Sequence, residues 1–233
     1  MKDLMEKIRR KWMKLRLQPI RVFCFHQTSD TFDENTMYEC DWIQIENFKN
    51  AITSLQEQGY VFISLEEAYR KLQRDLFRLR KYAVLTSDDG DASLHNVLPW
   101  LSEKKIPLTL FINPVYLDGK HYRIRNTELY LAEEDLRHFP EQYPLLTIGS
   151  HGWYHVDAVK QTEQEFEETL MRSLNYLKVL PNYVPFFAFP YGHYTNAAYD
   201  AVIREKAIPI LIGGDANYTY CGYIDREILG SKK

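Results

Sequence analysis

Cysteine is scarce in this chain of 233 residues: Cys24, Cys40 and Cys221 are odd in number, and none stands in a Cys-x-x-Cys spacing. Nothing in that pattern points to a disulfide framework or a thiolate metal site, and it suits a reducing compartment better than an oxidising one. Cys24, inside Val22-Phe23-Cys24-Phe25, reads as a small core residue. Long apolar runs are missing too, so nothing reaches the roughly 18 residues a bilayer-spanning helix needs. The first residues form no secretory hydrophobic region, and a cytoplasmic location is the resulting expectation. Positive charge is not in excess. A net charge of −3 argues against a nucleic-acid partner, because phosphate contacts need a basic face. Repeats, low-complexity tracts and Gly/Ser-rich linkers are absent, which leaves one domain over residues 20–233.

The composition is 45% hydrophobic, enough for a substantial core. The 17 tyrosines exceed ordinary usage; aromatic faces serve sugar sites, but aromatics more often pack in cores. Charge is unevenly placed. Residues 1–19 hold seven basic side chains against Asp3 and Glu6, a net +5 that leaves −8 on the remainder. Met5, Ile8, Trp12 and Leu15 fall on one face of a helix. Such a basic amphipathic helix either packs on the domain or makes peripheral contact with an anionic membrane surface.

Beyond Pro19, strand-like and helix-like segments alternate. Strands are expected at Ile20–Phe25, Tyr60–Ile63, Tyr82–Leu85, Leu108–Ile112, Leu145–Ile148, Phe186–Phe189 and Ile208–Ile212. Helices are expected at Ile45–Gln58, from Ser64, at Asp91–Lys104, Glu133–His138, Thr162–Leu180 and Asn196–Lys206. Ser64 with Glu67 has the spacing of a capping box, and the basic run from Arg70 to Lys81 reads as a solvated face. The alternation implies an α/β protein with a parallel sheet covered by helices, either a barrel or an open sheet.

Chemistry-bearing residues follow the apolar strands directly: His26 after Phe25, Asp88-Asp89-Gly90 after the strand at Leu85, His151 to His155 after Ile148, and Pro190-Tyr191-Gly192-His193 after Phe189. In a (β/α) barrel all strand ends open on one face, so these residues would share one mouth. Asp-Asp-Gly alone is a common turn. Adjacent ionised carboxylates nevertheless call for positive charge beside them, which a divalent metal supplies, one ligating and the other taking a proton. Two histidines at i, i+4 with a carboxylate form a catalytic ligand set that leaves room for water. The Pro190–Gly192 turn could present the Tyr191 amide to an oxyanion. His26 could protonate a leaving group, with His193 its competitor.

In this order the clusters resemble the polysaccharide deacetylase family (the NodB homology domain, carbohydrate esterase family 4). Thr86-Ser87-Asp88-Asp89-Gly90 is similar to its TFDDG motif, His151 to His155 to its H-[ST]-x-x-H pair, and Phe187 to Gly192 to its third motif. The resemblance covers roughly residues 20–213. It implies Asp88 as base, Asp89, His151 and His155 as metal ligands, and the Tyr191 amide as oxyanion donor. Ser87 replaces the usual Phe, Gly152 the usual Ser or Thr, and Ala188 an Arg that orients the base. No C-terminal Leu-x-His motif occurs. A permuted branch acting on poly-N-acetylglucosamine carries the acid histidine on its first strand, which Phe25-His26 resembles, and it too lacks the Arg.

The implied fold is a distorted (β/α) barrel of the NodB type in a single domain. The implied activity is removal of an N- or O-acetyl group from a carbohydrate, with an N-acetylhexosamine glycan or its precursor as partner. One divalent metal is implied; two imidazoles and a carboxylate suit Zn, Co, Ni or Fe better than Mg or Ca. Two other readings keep the fold: an amidase on a small non-sugar molecule, and a glycan-binding barrel without turnover. The oligomeric state is left open.

Overall fold

The computed structural model describes residues 17–34, 41–120 and 130–230. The amphipathic helix expected over residues 1–19 falls, but for its last three residues, outside the described part. In chain order the elements are β1 (Ile20–Phe25), β2 (Gln27–Ser29), β3 (Trp42–Gln44), α1 (Ile45–Glu57), β4 (Tyr60–Phe62), α2 (Leu65–Arg74) and β5 (Lys81–Ser87). They continue with α3 (Leu98–Glu103), β6 (Leu108–Ile112), α4 (Glu133–Gln142), β7 (Leu146–Ser150), α5 (Glu163–Leu177), β8 (Tyr183–Ala188), α6 (Asn196–Arg204), β9 (Ile208–Ile210) and β10 (Glu227–Ile228).

One parallel sheet runs β10-β1-β5-β6-β7-β8-β9. On one edge of β5, β4 pairs with the first residues and β6 with the last, while β1 lies along the other edge. The sheet closes on itself. Leu211 N–H donates to Ile224 O at 2.9 Å and Arg226 N–H to Leu211 O at 3.1 Å, joining β9 to the segment that enters β10, and β10 pairs with β1. The expected distorted (β/α) barrel is thus the observed one.

Period-two alternation sorts the strand residues onto two sides. Phe25, Leu85, Leu110 and Ile148 join Phe48, Ile52 and Leu55 of α1, whose i, i+4, i+7 spacing gives that helix one apolar face. Val22, Val84, Phe111, Phe186, Ile210 and Ile224 form a separate cluster, into which α2 inserts Leu65, Ala68 and Leu72.

Three expectations are corrected. The helix expected over Asp91–Lys104 is broken at Val97 into a 3₁₀ turn (Ala92–Asn96) and α3, because Pro99 has no N–H and fits only a first helical turn. The Ser64 hydroxyl does cap α2 by accepting the Glu67 N–H at 3.1 Å, while the Glu67 carboxylate lies 3.6 Å from Lys71. The run from Arg70 to Lys81 is not uniformly solvated: α2 stops at Arg74, and the Arg78 side chain is buried. Three strands outside the expected ones, β2, β3 and β10, are very short, and only their partners make them strands.

Candidate metal centre

β5 ends against β1, where Asp88 N–H donates to Phe25 O at 3.2 Å. The chain then turns through two left-handed residues, Asp89 (φ 71°) and Gly90 (φ 78°). Asp tolerates this region better than most residues, and a Cβ on Gly90 would lie 2.8 Å from Ile112 Cδ1. The turn brings the Asp89 carboxylate to the histidines. Its Oδ1 is 3.5 Å from His151 Nε2 and 3.3 Å from His155 Nε2, and the three donor atoms lie within 4.8 Å of one another.

The histidine loop after β7 is a tight turn, not a helix, with Gly152 at φ 82°. Buried Asn113, just beyond β6, holds it by donating from its amide to His151 O at 2.5 Å and Gly152 O at 3.2 Å. The Tyr116 hydroxyl accepts the His155 N–H at 3.3 Å. His151 Nδ1 lies 2.8 Å from Ala188 O. A carbonyl can only accept, so Nδ1 carries the proton and Nε2 keeps its lone pair toward Asp89. Burial lowers the His151 pKa despite Asp88 and Asp89 nearby, which favours the neutral imidazole a metal requires.

The donor set fits a divalent ion. Metal–ligand bonds of about 2.1 Å in tetrahedral array put donors about 3.4 Å apart, and the two distances at Asp89 Oδ1 bracket that value. A second group, Cys24, His26 and Asp88, is equally compact but unsuited. Both Asp88 oxygens are taken by a cation, and burial raises the Cys24 thiol pKa well above its ordinary value, so the thiol stays protonated.

That cation is Arg226. It donates from Nη1 to Asp88 Oδ1 at 2.6 Å and from Nη2 to Oδ2 at 2.8 Å, with its side chain fully buried. Thr86 Oγ1 at 3.2 Å and Leu211 O at 3.3 Å take further N–H groups, and the Phe111 ring lies 5.2 Å away. Burial alone would raise the Asp88 pKa, but Arg226, His151 and His26 outweigh it and hold the carboxyl below the usual range. The residue at 188 is Ala, so the guanidinium beside Asp88 comes from the barrel-closing segment instead. Sequence reasoning missed it. The segment offered little signal: in Ile224-Asp225-Arg226-Glu227-Ile228 only the two ends are apolar, and Ile228 is exposed.

Of the remaining candidates, His26 stands beside Asp88, with Nδ1 4.0 Å from Asp41 Oδ1. His193 is tied elsewhere, with Nδ1 3.0 Å from Asp157 Oδ2. Tyr191 is left-handed (φ 60°, ψ 0°) within the Pro190–Gly192 turn, and its ring meets His155 edge-on at 4.5 Å. Asp88, Asp89, His151, His155, His26 and Tyr191 therefore all gather at one end of the barrel.

Residues 78–206, more than half of the chain, match the family model for polysaccharide deacetylase. The chain belongs to the polysaccharide deacetylase family. No curated protein matches the sequence. Among solved structures, IcaB from Ammonifex degensii superposes with a TM-score of 0.72 at 22% identity, covering 91% of this chain and 92% of that one. A de-N-acetylase from Aggregatibacter actinomycetemcomitans gives 0.75 at 20% identity, covering 91% and 95%. The Streptococcus pyogenes deacetylase PplD, solved with acetate, gives 0.74 at 18% identity, covering 91% and 92%. These likenesses establish a shared fold along nearly the whole chain, including strands outside the matched family segment.

Proposed function

We propose that this member of the family is a metal-dependent hydrolase that removes acetyl groups from an N-acetylhexosamine-containing glycan or its precursor. The observation that carries the reading is the convergence of Asp89, His151 and His155 beside a carboxylate held ionised by Arg226. A divalent ion held by those three residues, Zn, Co, Ni or Fe by ligand type, would acidify a water and polarise the acetyl carbonyl. Asp88 is the base. Arg226 orients it and keeps it deprotonated, so it can accept the proton of the attacking water. The Tyr191 amide donates to the oxygen on which negative charge develops. His26, next to Asp88, returns a proton to the departing sugar amine or alkoxide. A carbohydrate-binding barrel without turnover has no need of a buried Asp88–Arg226 pair, whose assembly costs desolvation of two charges.

The test is acetate release from N-acetylglucosamine oligomers and from an O-acetylated glycan, by protein stripped of metal and refilled with Zn or Co. Release should return with metal. It should fall by about 10²-fold or more in Asp88→Asn, with metal still bound, whereas Asp89→Ala should lose the metal itself. Undiminished turnover in Asp88→Asn would remove the base assignment.

A further inference from the structure

A polar pair at the rim of the catalytic mouth has no part in the chemistry proposed above. The histidine loop and the turn after β8 run side by side and touch at three places in the same order. His151 Nδ1 meets Ala188 O at 2.8 Å, the His155 and Tyr191 rings meet edge-on at 4.5 Å, and His193 Nδ1 lies 3.0 Å from Asp157 Oδ2. Burial falls along the series: the His151 and His155 side chains are buried, whereas the His193 side chain is 64% exposed. His193 therefore stands at the outer edge of the mouth. Asp157 is buried and fixed, since its other oxygen accepts the Val159 N–H at 3.1 Å. A carboxylate accepts, so His193 Nδ1 carries the proton and Nε2 keeps a lone pair on a ring that is mostly in solvent.

The fold has little need of this pair. Asp157 caps the 3₁₀ turn at Ala158–Lys160 without help from His193, and an exposed ion pair adds little stability. Proton transfer does not call on it either, because His26 is the histidine that stands beside Asp88. Half-exposed rings lie next to it, Tyr191 and Tyr194 on its own segment and Tyr154 on the facing loop. Open aromatic faces beside one fixed polar group suit a sugar, whose C–H face packs on a ring while its hydroxyls seek a partner.

Given the glycan substrate proposed above, we propose that His193, aimed by Asp157, binds a hydroxyl of the sugar next to the one that loses its acetyl group. The mouth thus grips a chain of at least two sugars rather than a lone N-acetylhexosamine. Distance fits this assignment. Two residues of chain span at most about 7 Å, so His193 stands from Tyr191 roughly as one sugar ring stands from the next. Charge selects a hydroxyl over a phosphate or carboxylate. Residues 151–161 and 188–195 hold a single cation, Lys160, balanced by Asp157, and no arginine. A neutral Nε2 accepts a hydroxyl proton without that excess of positive charge.

The experiment is calorimetric titration of the full, metal-loaded chain with N-acetylglucosamine and with its tetramer, in the Asp88→Asn background so that binding is read without turnover. The tetramer should bind more tightly than the monomer. His193→Ala should lower the tetramer-to-monomer affinity ratio roughly fivefold, the worth of one hydrogen bond. His193→Gln, whose amide can still meet a hydroxyl, should recover part of that loss. With Asp88 intact, the His193→Ala defect on the tetramer should appear in KM rather than in kcat. Equal affinity for monomer and tetramer overturns the proposal, and so does a ratio that His193→Ala leaves intact. A fall in kcat with a displaced pH profile, alike on both substrates, would assign His193 to proton transfer and overturn it as well. Tetramer binding that depends on His193, in a protein that releases no acetate, would keep the subsite and remove the hydrolase, so the two readings fail separately.

Discussion

Arg226 and Asp88 illustrate how one buried pair can serve two ends. The guanidinium is unusual cargo for a barrel interior, and it is tolerated because its N–H groups meet a carboxylate, a hydroxyl and a carbonyl. Removing one partner of such a pair strands the other. Arg226→Met is expected to cost about 3–5 kcal/mol in urea unfolding. The same change on an Asp88→Asn background should cost clearly less, since no buried charge is then abandoned; equal costs in the two backgrounds would deny the coupling. The pair also sets a pH dependence. The Asp88 pKa is depressed in the folded protein, so its contribution is present above the unfolded carboxylate value of about 3.9 and is lost as pH falls toward the folded value. Stability of the parent should therefore drop more steeply below about pH 4 than that of Asp88→Asn.

At the scale of elements, glycines report where the barrel has no spare room. A Cβ on Gly149, in β7, would lie 2.7 Å from Phe111 Cε1 and 2.9 Å from Phe186 O. The strand shifts register against β8 at this point, and two residues later it delivers His151. Gly149→Ala should cost about 1–3 kcal/mol by overpacking, and metal affinity should fall with it. Gly59, which ends α1 at φ 84° with nothing within 4 Å of its would-be Cβ, is a contrast: Gly59→Ala should cost only the left-handed backbone, about 1 kcal/mol, and leave metal affinity alone. Comparing the pair by urea unfolding and metal titration separates crowding from backbone strain. The same physics decides how much was legible beforehand. β1 and β6 were readable to the residue because each is a mainly apolar run that starts after a proline, Pro19 or Pro107, and ends at a polar residue, His26 or Asn113. Asp89, His151 and His155 could be picked out as candidates because they fall in the short turns that follow β5 and β7. β10 was not, because two residues carry no periodicity and become a strand only through β1. Arg78 and Arg226 were misjudged or missed because a charged side chain announces solvent unless its partners, here distant in sequence, are known.

For the whole molecule, closure matters more than any single strand. The family match spans residues 78–206 and includes Asp88, Asp89, His151, His155 and Tyr191, but neither His26 nor Arg226. Those two come from the first strand and from the segment that closes the barrel beside it. A chain ending at Tyr223 would keep every residue of the matched segment yet lose both the closing hydrogen bonds and the partner of Asp88. It should show no single cooperative unfolding transition by circular dichroism; a transition like that of the parent would mean that the closing strand is dispensable.

Closure from the far end also sets a schedule. The ribosome makes His26 and Asp88 well before Arg226. A growing chain can order its helices and the central strands while still tethered, but Asp88 lacks its guanidinium partner until Arg226 has been made and has cleared the exit tunnel. The site would thus stay incomplete until the closing segment emerges, and proteolysis that removed Arg226 would undo it again.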